Sequence, residues 1–253
     1  MKHTTLPFRL ARRICSSVLN ALAVFLLLAW SSSSEVRAAV LVGWDFNLIP
    51  VDSQPIPGPI EPDLSSSGVI FGGLTRGAGV NQFLARGTSN LWTVMRFENR
   101  VTSRSREHAL SRDVYVEFSL APAAGHRLNV ENLTMDGFSA SGTNSRNFFV
   151  LYSMDNFATS TLLIPDTVAT GAGVSVQGDL NLTDVTTPVQ FRIYGYAPSD
   201  TSQPNRALQY DNIFVNGTVV PIPEPTSTSL VCLGVVGLLM RRRRSPQKSG
   251  LVS

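Results

Sequence analysis

The sequence predicts an all-β fold, an antiparallel two-sheet sandwich of jelly-roll type, on three observations. From Asp113 to Leu120 the residues alternate, with Val114, Val116, Phe118 and Leu120 on one face and Tyr115, Glu117 and Ser119 on the other. That two-residue period is the mark of a half-buried strand. Val189, Phe191, Ile193 and Gly195 alternate with Gln190, Arg192, Tyr194 and Tyr196 in the same manner. Turn-forming clusters then recur at short spacing: Pro55 to Pro59, Gly72-Gly73, Pro122 to Gly125, Gly142 to Asn144, Gly171 to Gly173 and Pro198 to Asp200. About ten short strands joined this way make a sandwich, and no repeat of solenoid or propeller period interrupts them.

Taken in order, residues 1–38 read as a secretory signal. Lys2, Arg9, Arg12 and Arg13 form a basic head, 14–30 an apolar stretch, and Val36-Arg37-Ala38 a cleavage region. The competing reading is an uncleaved N-terminal anchor. The sandwich occupies 39–220, with further strands expected at 40–47, 69–72, 91–97, 128–135, 147–153, 161–164, 174–181 and 208–215, and one helical turn at 104–110. These 182 residues suffice for one domain with its own core. The whole chain has net charge +3, but the segment 39–220 holds eleven arginines, no lysine and sixteen acids, a net of −5. The basic excess therefore belongs to the two ends, which removes the main support for nucleic-acid binding. Cys15 and Cys232 also lie outside the domain, so it folds without a disulfide.

The tail divides into 221–244 and a cytoplasmic remainder at 245–253. Pro221, Pro223 and Pro225 lack backbone donors and keep the neck extended, open to a peptidase. An apolar transmembrane helix at 226–240 follows, shorter than the roughly 20 residues of a comfortable span, as suits a temporary anchor. Arg241, Arg242, Arg243 and Arg244 then fix the C-terminus in the cytoplasm by the positive-inside rule. With Pro223-Glu224-Pro225 in the neck, this tail resembles that of the PEP-CTERM family, surface and exopolysaccharide-associated proteins of Gram-negative bacteria. The resemblance implies passage through the secretion machinery, a transient inner-membrane anchor, processing by an exosortase, and a final place at the cell surface or in the extracellular matrix. A permanent single-span anchor is the alternative.

A second resemblance covers most of the domain. The blocks Val114 to Phe118, Leu133 to Phe138, Phe149 to Phe157, Phe191 to Gly195 and Tyr210 to Ile213 are similar to blocks of PEP-CTERM surface domains, and in part to jelly-roll carbohydrate-binding modules and laminin-G-like lectins. Many jelly-roll modules hold a calcium between their first and last strands, and here Asp45 and Asp211 offer carboxylates, with Asn47 and Asn212 beside them. Calcium takes six to eight oxygens. The alternative is that Asp211 accepts backbone N–H groups at a turn while Asp45 is solvated. The polar face Gln190, Arg192, Tyr194 and Tyr196 is the candidate for ligand contact, with tyrosines to stack on sugar rings and Gln190 and Arg192 to bond hydroxyls or acidic groups. The alternative is that these tyrosines pack beneath a loop.

Other classes find less support. Asp113 and Glu117, roughly 13 Å apart if both lie on one strand, are too distant for paired glycosidase carboxyls. His108 and His126 have no ligand-spaced partner, and no HExxH, GxSxG or Walker pattern occurs. Arg96, Arg100, Arg104, Arg106 and Arg112 offer a basic series to an acidic polymer, or simply a solvated edge. The N-x-[ST] triplets at Asn132, Asn181 and Asn216 read as ordinary polar residues in a bacterial protein. The sequence thus points to a non-catalytic surface or matrix protein that contacts exopolysaccharide. A polysaccharide hydrolase or lyase on the same frame and a self-assembling surface protein are the alternatives.

Overall fold

The computed structural model describes residues 38–46, 55–56, 58–80, 83–84, 93–96, 104–139, 146–198 and 207–222. The signal apart from Ala38, Asn47, the whole tail from Pro223 through Arg241, Arg242, Arg243 and Arg244, and the expected membrane helix lie outside them. Contacts divide the chain into Met1–Arg37 and Ala38–Ser253, and every described residue falls in the second unit. Among the described residues no helix is long and apolar enough to cross a membrane.

The strands are β1 (Ala39–Trp44), β2 (Pro55–Ile56), β3 (Leu64–Ser65), β4 (Val69–Arg76), β5 (Phe83–Leu84), β6 (Thr93–Arg96), β7 (Tyr115–Pro122), β8 (His126–Ser139), β9 (Arg146–Ser153), β10 (Thr161–Ala169), β11 (Val174–Val185), β12 (Val189–Tyr196) and β13 (Ala207–Pro221), with α1 (Arg106–Ser111) before β7. Two main antiparallel sheets result, one ordered β11-β8-β13-β1-β3 with β6 also on β13, the other β10-β9-β12-β7-β4, while β2 and β5 pair separately. The pairings nest, β1 with β13, β7 with β12, β8 with β11 and β9 with β10. A long hairpin rolled up in this way is the jelly roll, so the fold class is the expected one.

The alternation seen in the sequence determines the core. Val116, Phe118 and Leu120 of β7 and Val189, Phe191 and Ile193 of β12 are buried on the inner face. Phe118 stacks on Phe191 at 5.0 Å and meets Trp44 of the opposite sheet at 4.9 Å, joining the two layers. Trp44 keeps its indole N–H satisfied by donating to the Ile60 carbonyl at 3.0 Å. The β7–β8 turn closes on Gly125 at φ +76, a conformation glycine adopts without strain.

Two expectations shift. The helix begins at Arg106 because Ser105 caps it, its hydroxyl accepting from the His108 N–H at 3.2 Å. β7 begins at Tyr115 because Val114 N–H still donates to the Ala109 carbonyl of α1 at 3.0 Å, leaving Asp113 in the turn at φ 53. Asp113 and Glu117 therefore do not share a strand face.

Candidate functional site

The two outer sheet faces differ in what they leave open. On the β12 sheet, Gln190, Arg192, Tyr194 and Tyr196 do fall on one face, beside Ser119, Glu117 and Tyr115 of β7 and Ser153, Leu151, Phe149 and Asn147 of β9. Their chemistry is turned inward, however. Tyr194 is 3% exposed and Tyr196 8%. The Tyr194 ring stacks on Phe149 at 5.0 Å and meets Tyr115 edge-on at 5.3 Å. Arg106, reaching down from α1, covers the Phe149 ring at 4.5 Å and pairs with Asp166 of β10 at 3.1 Å. The Tyr196 hydroxyl donates to the same Asp166 at 2.8 Å and accepts from Asn147 at 3.3 Å. Burial raises the pKa of both tyrosines.

Beside them the β9–β10 loop closes the face. Asp155 holds that loop, accepting from Ser153 Oγ at 2.7 Å and Thr159 Oγ1 at 2.6 Å, and these bonds, those from Thr159 first, hold its carboxyl below its ordinary range. The loop lays Phe157 over the Arg192 guanidinium at 3.9 Å, while Tyr115 lies 4.2 Å away and Glu117 forms an ion pair with it. Gln190 donates to Asn156 of the loop at 3.0 Å. The row expected to stack on sugar is thus committed to internal partners, with its tyrosine faces covered by α1 and its neighbours.

The other sheet presents an open groove of about 380 Å³, lined by Thr134, Met135 and Asp136 of β8, Ser175, Val176 and Gln177 of β11, and Asn212 and Phe214 of β13. Register explains the convergence. Gln177, Thr134, Phe214 and Gly43 pair in one row across four strands, and Ser175 pairs with Asp136 in the next. Gly43 has a reason to be glycine, since a Cβ there would collide with the edge of the Phe214 ring. The ring therefore settles over the bare backbone of β1 at the end of a polar row. Beyond it, Asn216 donates to Asn132 at 2.8 Å.

A bulge in β13 shapes the second row. The register with β8 shifts between Asp211 and Phe214, and Asn212 takes φ 49, which asparagine tolerates better than most residues. Asn212 Nδ2 consequently donates to Asp136 Oδ2 at 2.8 Å, and the Ser175 hydroxyl donates to the other oxygen, Oδ1. Asp211 is left buried, at 5% exposure. Burial above all, then the carboxylates of Asp136, Asp45 and Asp63, push the Asp211 carboxyl up to about 6, although the Asn212 N–H bonds it at 2.9 Å.

Asp45 and Asp211 come into one acidic neighbourhood with Asp63 and Asp136. Asp63 Oδ2 is occupied by the backbone N–H groups of Asp45 and Phe46 at 2.9 and 2.8 Å, and its carboxyl is raised, chiefly by burial. Asp136 has both oxygens engaged, and among the described residues no three His, Cys, Asp or Glu side chains are placed to hold a metal ion. Asp211, Asp63 and Asp136 form an acidic cluster that accepts hydrogen bonds from backbone and side chains. His108 lies on α1, and His126 faces the Ala124 carbonyl at the β7–β8 turn at 3.0 Å, so neither joins the groove.

The groove was missed in the sequence because β8, β11 and β13 were identified by their apolar positions. Its signal lies in their other halves: Asn132, Thr134 and Asp136, then Ser175 and Gln177, then Asn212, Phe214 and Asn216.

Comparison with known proteins adds two findings. Residues 221–244 match the family model of the PEP-CTERM protein-sorting motif. Among solved structures the chain is similar to a family 29 carbohydrate-binding module (13% identity, TM-score 0.37, 72% of this chain and 90% of that one). It is also similar to two variants of a module of that family, one complexed with cellulohexaose (11% identity, TM-score 0.37, 72% and 91%) and one with mannohexaose (12%, 0.36, 72% and 93%). At these scores the likeness carries no weight for function. No curated protein matches the chain.

Proposed function

We propose that this chain, which bears a PEP-CTERM sorting motif and so belongs among exported, exosortase-sorted proteins, is a non-catalytic surface or extracellular-matrix component of a Gram-negative bacterium that binds exopolysaccharide in the β8–β11–β13 groove. The observation that carries this reading is the row Gln177, Thr134 and Phe214, with Ser175, Asp136 and Asn212 beside it. Amides, hydroxyls and a carboxylate in fixed positions suit the paired hydroxyls of a sugar, and a ring at the end of the row suits its C–H face. The strands are about 4.8 Å apart, so four of them give a row of roughly 15 Å, room for a short stretch of polymer. With Asp136 in the groove, Asp211 and Asp63 behind it and Asp179 bonded to Gln177 at 2.8 Å, a neutral glycan is favoured over an acidic one.

The test is a binding screen of the exported protein against the producer's own exopolysaccharide and a panel of neutral and acidic glycans. Saturable binding is expected without new oligosaccharide ends, and Phe214→Ala is expected to weaken it about tenfold, equivalent to about 1.4 kcal/mol. Loss in Tyr194→Ala with retention in Phe214→Ala would return the site to the β12 face. Newly formed sugar ends would establish the hydrolase or lyase alternative. Binding that falls in chelator and returns with calcium would support the expected calcium between Asp45 and Asp211.

A further inference from the structure

The internal hydrogen bonds of the groove decide what it has left to offer a ligand. Ser175 gives its hydroxyl proton to Asp136 Oδ1, so Ser175 Oγ can then only accept. Asn212 gives one Nδ2 proton to Asp136 Oδ2 and Gln177 one Nε2 proton to Asp179 Oδ1, each at 2.8 Å, and both amides keep a carbonyl oxygen. The Asp136 carboxylate has lone pairs beyond the two that these donors use. Asp179 stands two residues after Gln177 on the same face of β11, opposite Asn132. What faces a ligand is an excess of acceptors.

Charge points the same way. None of the residues lining the groove is an arginine or a lysine. Among the described residues the ion pairs join Arg106 to Asp166, Arg127 to Asp184 and Arg192 to Glu117, and neither Asp136 nor Asp179 takes part in one. The segment 39–220 as a whole carries a net of −5. Phe214 lines the same groove in the row next to Asp136. A carboxylate, neutral acceptors and an aromatic ring together suit an ammonium group, which donates three hydrogen bonds, accepts none and is drawn to the ring face.

We propose that the ligand of this groove is an amino-sugar polymer with free amines, one ammonium of which sits on Asp136 beside the Phe214 ring and donates to Ser175 Oγ and Asn212 Oδ1. The inference rests on the glycan reading of the groove and names the class of sugar within it. N-acetylation of the same polymer removes the charge and two N–H donors and adds a carbonyl that needs a donor, so the groove discriminates against the acetylated form. A neutral glucan has only hydroxyls to present.

The test measures, by calorimetry on the exported protein, affinities for sets of oligomers matched in length and linkage and built of glucosamine, N-acetylglucosamine or glucose. Mildly acidic buffer keeps the sugar amine charged. The glucosamine oligomers are expected to bind about tenfold more tightly than the other two, a ratio that shrinks as salt is raised. Asp136→Asn is expected to remove that preference while binding of the glucose oligomers persists. Equal or weaker binding of the glucosamine oligomers overturns the inference and leaves the glycan reading standing, as does binding of other glycans with all three sets silent. A preference that survives both Asp136→Asn and Phe214→Ala lies elsewhere on the acidic surface and overturns it too. If Asp136→Asn melts below the parent, the acetylated and free oligomers, the salt series and Phe214→Ala decide without it. Binding of no glycan at all removes the glycan reading itself.

Discussion

Asp211 and Tyr210 stand next to each other on β13 and bear opposite kinds of stress. The Asp211 carboxyl titrates in the folded protein at about 6, above its ordinary 3.8, because it is buried and surrounded by other acids. Folding therefore takes up a proton between those values. The stability tied to this group is fully present below about pH 4 and is lost as pH rises through 6. Asp211→Asn, which keeps an acceptor for the Asn212 N–H, should flatten the stability profile over that window. It should also raise stability at pH 7 by about 1–2 kcal/mol, less than the full conversion of the shift because the neighbouring acids are partly solvated. Chemical denaturation at pH 4.5 and 7 checks both. Tyr210 is wholly buried, edge-on to Phe148 at 5.9 Å, and its hydroxyl finds no hydrogen bond among the described residues. Tyr210→Phe removes an unbonded polar atom and should stabilise the protein by about 1 kcal/mol. By contrast, Phe118→Ala should cost about 3–5 kcal/mol, since that ring bridges the sheets.

At the scale of elements, α1 and the β9–β10 loop decide which face of the sandwich is free. Arg106 links the helix to both Phe149 and Asp166, so Arg106→Ala should loosen the cover. The expected outcome is a modest destabilisation of about 1 kcal/mol with greater access of a polar quencher to tyrosine fluorescence. Gly43→Val should displace the Phe214 ring and weaken glycan binding while Tyr194 fluorescence stays unchanged. These elements also explain what the sequence revealed. The alternation of β7 and β12 was legible because each strand has one apolar face, and the sandwich class followed from strand count and turns, whereas the nested pairing came only with the structure. Inward packing of the tyrosines was legible as the alternative reading, but its agents were not, because Arg106 comes from a helix before β7 and Asp166, which holds Tyr196, from β10. The β13 bulge was equally hidden, as only the partner β8 reveals which residue is extra. Asp45 and Asp211 share one acidic neighbourhood because the strands that carry or precede them, β1 and β13, pair. Sequence could not show that the surrounding acids would already be bonded.

The whole molecule closes on its last strand. β13 lies between β8 and β1 and also receives β6, so the sheet that bears the groove has no middle until residues 207–221 are in place. Removing those residues should abolish cooperative unfolding rather than merely lower the melting temperature, as calorimetry of the shortened chain would show. Synthesis from the N-terminus delivers this strand after β1, β6 and β8, its partners in the sheet. Pairing that joins opposite ends of a chain is slow to form. Until β13 arrives the sheet stands open at its middle, and unpaired edges invite aggregation.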